Sequence, residues 1–131
     1  MEAPDIVPAG SITFGAHISN VNQFLRANGL ANGPPASDGS GSVAIVPVPS
    51  WVYAIAWNFE RNTSHEFRLI HNGKPLRWLD FPTASGVIQF PEPHLVDRLD
   101  AGDVLQISST YFTGVNFPGP ITVTLYLAEL L

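Results

Sequence analysis

Cysteine is absent from the chain, which excludes disulfides and thiolate metal sites. Basic residues are scarce: six Lys and Arg stand against eleven Asp and Glu, for a net charge of −5. They are also scattered, at Arg26, Arg61, Arg68, Lys74, Arg77 and Arg98. Phosphate recognition depends on clustered cations, so no nucleic-acid partner is expected. No apolar run approaches the roughly 20 residues that a membrane-crossing helix needs, and no membrane partner is expected either. Met1-Glu2-Ala3-Pro4-Asp5 has no basic start and no apolar continuation, so it is not expected to act as a signal peptide. Charge of either sign is low at 13%, against 45% hydrophobic residues. A lone soluble molecule usually carries more surface charge. The composition therefore points to surface covered by other chains, and to a homo-oligomer.

The signatures of catalysis are missing as well. There is no Gly-x-Ser-x-Gly elbow and no thiol nucleophile. Ser37-Asp38-Gly39-Ser40-Gly41-Ser42 lacks the Lys-Ser/Thr of a phosphate cradle and reads as a connection. No enzyme is expected, and no cofactor. A shared metal ion fails on distance. His65 and His71 lie six residues apart on one strand, a span of roughly 20 Å, whereas two ligands of one ion lie about 4 Å apart. His17 and His94 add no spacing logic. Asp97, Asp100 and Asp103 recur at intervals of three in a turn-rich stretch. That run has neither the alternating oxygen ligands nor the charge balance of a calcium loop, and turn aspartates accepting backbone N–H bonds is the favoured reading.

What is present is β-sheet chemistry. The 131 residues suit one domain, and 12 prolines and 11 glycines punctuate the chain too often for many helices. Between them lie runs rich in Val, Ile, Thr, Phe, Tyr and Trp. Strands are expected at 11–18, 43–48, 51–58, 65–71, 74–79, 86–90, 103–109 and 120–128. Residues 20–29 read equally as a strand or as helical turns, and 30–42 as a loop. In 51–58, alternation puts Trp51, Tyr53, Ile55 and Trp57 on one face and Val52, Ala54 and Ala56 on the other. Both faces are apolar, so that strand is expected to be central. Asn72-Gly73 between two apolar runs signals a type I′ hairpin. In the last run, Ile121, Val123, Leu125 and Leu127 share one face, and Thr122, Thr124 and Tyr126 the other. The fold class expected is all-β: an antiparallel, jelly-roll-like β-sandwich of about eight strands over residues 11–131. Residues 1–10 are expected to form an extended arm.

Three features suggest contact with partners. In the arm, Ile6, Val7 and Pro8 are apolar, and proline lowers the ordering cost of docking; terminal fraying is the alternative. Tyr111, Phe112 and Phe117 fall in an expected loop, where aromatic rings are covered either by a partner or by the sandwich end itself. Trp51 follows Pro49-Ser50 near an expected rim, where a flat ring can stack on a glycan; core packing is the commoner use of such a ring.

The segment Leu99-Asp100-Ala101-Gly102-Asp103-Val104-Leu105 resembles the leucine-x-x-glycine-aspartate-x-apolar signature of tumour-necrosis-factor ligands and complement globular heads. In those trimeric jelly rolls an apolar strand also ends the chain, as Ile121–Leu131 does here, although their aromatic-glycine ending is absent. A turn at Gly102-Asp103 is expected to launch a strand, with Leu99 and Leu105 anchored in the core. The wider layout resembles β-sandwich proteins of tailed-phage virions, head decoration (cement) proteins and fibre tips among them. The matching pieces are Phe14-Gly15-Ala16-His17, Trp57-Asn58, Ile70-His71-Asn72-Gly73, Ala101-Gly102-Asp103 and Gly119–Leu127. This resemblance implies a homotrimer in the virion, made in the host cytoplasm and bound to the major capsid protein or another virion protein, its arm gripping neighbours. The alternative it implies is a receptor- or carbohydrate-binding fibre-tip module.

Overall fold

The computed structural model describes residues 6–18, 23–29, 41–59, 65–81, 85–90, 93, 98–111 and 119–130. Among these the regular structure is entirely β: β1 (Pro8–Ile18), β2 (Gln23–Phe24), β3 (Arg26–Ala27), β4 (Ala44–Ile45), β5 (Ser50–Phe59), β6 (His65–His71), β7 (Lys74–Phe81), β8 (Ser85–Gln89), β9 (Val104–Tyr111) and β10 (Gly119–Glu129). All pairings are antiparallel. One sheet runs β3-β1-β10-β5-β8; the other runs β2-β9-β6-β7, with β4 also on β9. β2 and β4 lie end to end along the same side of β9, opposite Ser108-Ser109 and Val104-Leu105 respectively.

Among the described residues, with β2 and β3 set aside as short additions to the sheet edges, eight strands remain, and their order defines the fold. The first, last, third and sixth form one sheet; the second, seventh, fourth and fifth form the other. Only β6 and β7 pair as chain neighbours, and every other connection among the eight crosses between sheets. That winding is the double Greek key of a jelly roll.

Alternation builds the core. On β10, Ile121, Val123, Leu125 and Leu127 are all fully buried, while Thr122, Thr124 and Tyr126 stay half-buried on the other side. Phe14 of β1 points in, and from the facing sheet come Phe67, Leu69, Leu105 and Ile107. Phe59 and Phe67 stack across the layers with ring centres 5.5 Å apart. An interior void lined by Ile55, Phe67, Leu69, Leu79, Ile107, Val123 and Leu125 is only about 10 Å³. It is at the lower limit for one water and has no polar wall to hold it.

Two turns settle the register. Asn72 (φ 51°) and Gly73 (φ 79°) both take positive φ, so the β6–β7 hairpin is closed by the expected type I′ turn. At the second, Asp103 N–H donates to Asp100 C=O at 3.0 Å and Gly102 takes φ 91°. Leu99 and Leu105 flank that turn at zero exposure, so the two leucines do anchor its sides.

Several sequence expectations are corrected. Pro8, Ala9 and Gly10 are not arm but the start of β1, with a bulge between Pro8 and Gly10. Residues 23–27 take the strand alternative, split around Leu25, whose N–H donates to Ile107 C=O. Tyr111 belongs to β9 and pairs with His65. The largest correction concerns β5. Its register slips against β10 between Tyr126↔Ala54 and Leu127↔Val52, leaving Tyr53 as the extra residue of a β-bulge. Val52 therefore faces the core along with Ile55, Trp57 and Phe59, and Trp51 and Tyr53 do not share their face.

Burial this complete makes truncation costly. Leu125→Ala should lower unfolding free energy by about 2–5 kcal/mol, whereas Thr122→Ala on the outer side should stay within about 1 kcal/mol. Urea denaturation of the two variants checks the contrast, and equal losses would mean that the faces of β10 are misassigned.

Candidate functional site: an uncharged outer sheet face

The outer face of the β1-β10-β5-β8 sheet can be read off as rows of register partners. One row is Ser11, Tyr126, Ala54 and Gln89; the next is Thr13, Thr124, Ala56 and Val87; the third is Gly15, Thr122, Asn58 and Ser85. No position in these rows is Asp, Glu, Lys, Arg or His. Arg26, opposite Gly15 on β3, stands at the rim. A solvent-facing sheet surface normally reads polar and charged. Here it is hydroxyl, methyl and aromatic. Thr13 Oγ1 and Thr124 Oγ1 lie 3.0 Å apart, so even these hydroxyls are partly satisfied within the face.

The β5 bulge adds aromatic surface to one end. By doubling Tyr53 and Ala54 on the outer side, it brings the Tyr53 ring to 6.2 Å from Tyr126 and 6.3 Å from Trp51. The ring planes are inclined at 47° and 66°, so the three rings form a folded cluster and not a flat platform. Beside them Tyr53, Ala54, Val87, Gln89 and Tyr126 line an open groove of about 210 Å³. Val87, at 59% exposure, is the most exposed large apolar side chain among the described residues. Gly86 makes room at the neighbouring position: a Cβ there would come within 2.6 Å of the Trp57 ring.

The second polar feature is the knot that joins the β6–β7 turn to the turn before β9. His71 Nε2 lies 2.8 Å from Asp103 Oδ2; a carboxylate can only accept, so Nε2–H donates. The Asp100 N–H donates to the same oxygen at 2.9 Å. Asn72 N–H donates to Val104 C=O, and Val104 N–H donates back to Asn72 Oδ1, each at 2.8 Å. These donors lower the Asp103 carboxyl from its ordinary 3.8 to about 2, the Asp100 backbone bond first, then His71 and Asn72. Asp100 itself pairs with the exposed Arg98. Asp103 thus behaves as a turn aspartate, while the Asp100 carboxylate is held by Arg98, and no cluster of three metal-binding side chains occurs among the described residues. Asp97 and His94 lie outside them.

The residues singled out from sequence are not gathered in one place. Ile6 and Val7 are exposed at 43% and 38%, next to the far end of β10, where Glu129 N–H donates to Val7 C=O. Pro8 is exposed in β1. Trp51 is half-buried at the aromatic end of the outer face. Phe112 and Phe117 lie outside the described residues. Tyr53, Tyr126, Val87 and Gln89 were not singled out, because only the bulge and the β5–β8 register unite them. No protein-family model matches the chain, and no curated protein matches it.

The Asp103 knot has a pH signature. Its native carboxyl pKa is depressed, so its contribution is complete above about 4 and is lost as pH falls towards 2. Asp103→Asn should melt below wild type at pH 7, with the gap closing between about pH 4 and 2. A gap that is constant with pH in thermal melts would contradict this.

Proposed function

We propose that the chain is a structural, non-catalytic assembly protein whose copies pack through the outer face of the β1-β10-β5-β8 sheet. The observation that carries this reading is the absence of Asp, Glu, Lys, Arg and His from three consecutive rows of that face, bounded by His17 opposite Pro120 and by Arg26 at the rim, in a chain of net charge −5. Identical copies repel one another wherever like charges oppose. A face of Thr, Ala, Tyr and Val removes that obstacle and offers apolar area, with small side chains that let sheets approach closely. The sequence resemblance supplies the finer form of the proposal: a virion protein of a tailed phage, a trimer that decorates the head and adds contacts between capsid subunits. Its role would be passive, with buried surface resisting expansion of the shell. The exposed Ile6, Val7 and Pro8 are its candidate capsid contacts.

A second reading is favoured by the groove beside Trp51, Tyr53 and Tyr126. Aromatic walls with one amide, Gln89, suit a single sugar ring, as in a receptor-binding tip. Saturable quenching of tryptophan fluorescence by a polysaccharide would favour it over assembly.

The assembly reading is tested by light scattering. Wild type should have a mass that is a multiple of one chain. Ala56→Glu, at the centre of the face, should lower that mass with an unchanged circular-dichroism spectrum. Ala56→Gln, similar in bulk but neutral, should keep much more of the assembly. A wild type that is a single chain at all concentrations overturns the proposal.

A further inference from the structure

We propose that Tyr53 and Tyr126 form a covalent modification site: a one-electron oxidant joins their rings as dityrosine, within one chain, and so staples β5 to β10. This goes beyond the assembly reading and does not depend on it.

The composition directs oxidation to these rings. Thiols and thioethers are the side chains that oxidants commonly attack, and here there is no cysteine and one methionine, Met1. A one-electron oxidant is left with tyrosine and tryptophan. Of the three tryptophans, Trp57 is buried, Trp78 is on β7 of the facing sheet, and Trp51 belongs to the same cluster as Tyr53. Of the three tyrosines, Tyr111 is on β9 in the facing sheet. The other two are neighbours.

Their apposition is a product of the β5 bulge. Tyr126 pairs with Ala54, and the slip before Leu127↔Val52 leaves Tyr53 as the extra residue beside that pair. The ring centres are 6.2 Å apart and the planes are inclined at 47°. An inclined pair at this spacing brings edge towards ring, where a parallel stack would hold the faces together. Side-chain rotation at a surface takes picoseconds to nanoseconds, so the carbons ortho to the two phenol oxygens meet repeatedly. Trp51 is next to Tyr53, 6.3 Å away, and an electron taken from the indole is replaced from Tyr53. Both tyrosines line the open groove of about 210 Å³, which admits a small oxidant in the single chain.

The chemistry balances with two equivalents of oxidant. Each phenol gives one electron to the oxidant, which is reduced, and its O–H proton to solvent. The two phenoxyl radicals form a carbon–carbon bond through their ortho positions. Each joined carbon then loses its proton while the oxygen takes one up, which restores both phenols. Two hydrogens leave overall, and no backbone bond breaks.

The test oxidises dilute wild-type protein with a photolysed ruthenium tris-bipyridyl complex and persulfate. Peptide mass spectrometry should find the Tyr53 peptide joined to the Tyr126 peptide, short of two hydrogens, in material that runs as a single chain on a denaturing gel. The blue fluorescence of dityrosine should mark that band. Tyr53→Phe and Tyr126→Phe keep the ring and remove the phenol, and each should lose the fluorescence; Tyr111→Phe should retain it. The cross-linked chain should also unfold at higher urea than the unreacted chain, because a link from residue 53 to residue 126 restricts the unfolded ensemble. Dityrosine found only between chains, or only through Tyr111, overturns the proposal, as does a Tyr53→Phe chain whose single-chain band still fluoresces. A cross-linked chain that is no more stable shows that the rings were not aligned for the bond, and also overturns it. The assembly reading is judged separately, by the mass of unoxidised protein.

Discussion

The placement of β10 between β1 and β5 is the constraint on which the rest depends. One side of Gly119–Glu129 supplies four aliphatic residues that are almost wholly buried, a run that β5 matches in number with Val52, Ile55, Trp57 and Phe59. To cover that side the facing sheet must close over it. To satisfy both backbone edges of β10, a strand from the start of the described chain and one from its middle must flank it: β1 on one side, β5 on the other. β8 then has only the outer edge of β5 left to join, and becomes the sheet's last strand. The hydrophobic demand of a single strand thus determines which residues are presented outside.

What it presents is unusual in composition more than in shape. The outer side of β10 is Thr122, Thr124 and Tyr126, and its neighbours continue the pattern with Thr13, Ala56 and Val87, above the buried Ala54. Threonine and tyrosine suit a pleated surface in water or against protein, because each has an apolar body and one polar tip. Such a face can exist transiently in solvent and still gain on being covered. Elsewhere the described surface carries charge: Arg68, Lys74, Arg98, Asp100 and Glu129 all lie off the three rows.

Much of the fold was legible because its strongest signals are local. Asn72-Gly73 specified a hairpin through its tolerance of positive φ, and the perfect alternation of residues 121–127 specified which side of β10 is inside. Leu99 and Leu105 were legible as anchors around a glycine turn. The face was not legible, because it is a product of register. A single extra residue at Tyr53 moves Trp51 and Tyr53 to the opposite side from Ile55 and Trp57, and period-2 counting along one strand has no means of seeing it. Pro8–Gly10 were missed for a related reason. Proline and glycine are poor strand formers by themselves, yet Pro8 can occupy the first residue of a strand, and Gly10 accommodates φ 129° beside the bulge. Val87 and Gln89 gained meaning only when β8 was placed at an edge, which no local pattern specifies.

The account's central claim is that the aromatic and threonine-rich face is covered by other copies of the chain. Radical footprinting read by mass spectrometry measures that directly, because Tyr53 and Tyr126 report on the face from within it. At low protein concentration both rings should be oxidised readily, and with increasing concentration both should become protected while the exposed Pro93 does not change. Equal oxidation of Tyr53 and Tyr126 at every concentration would contradict the account.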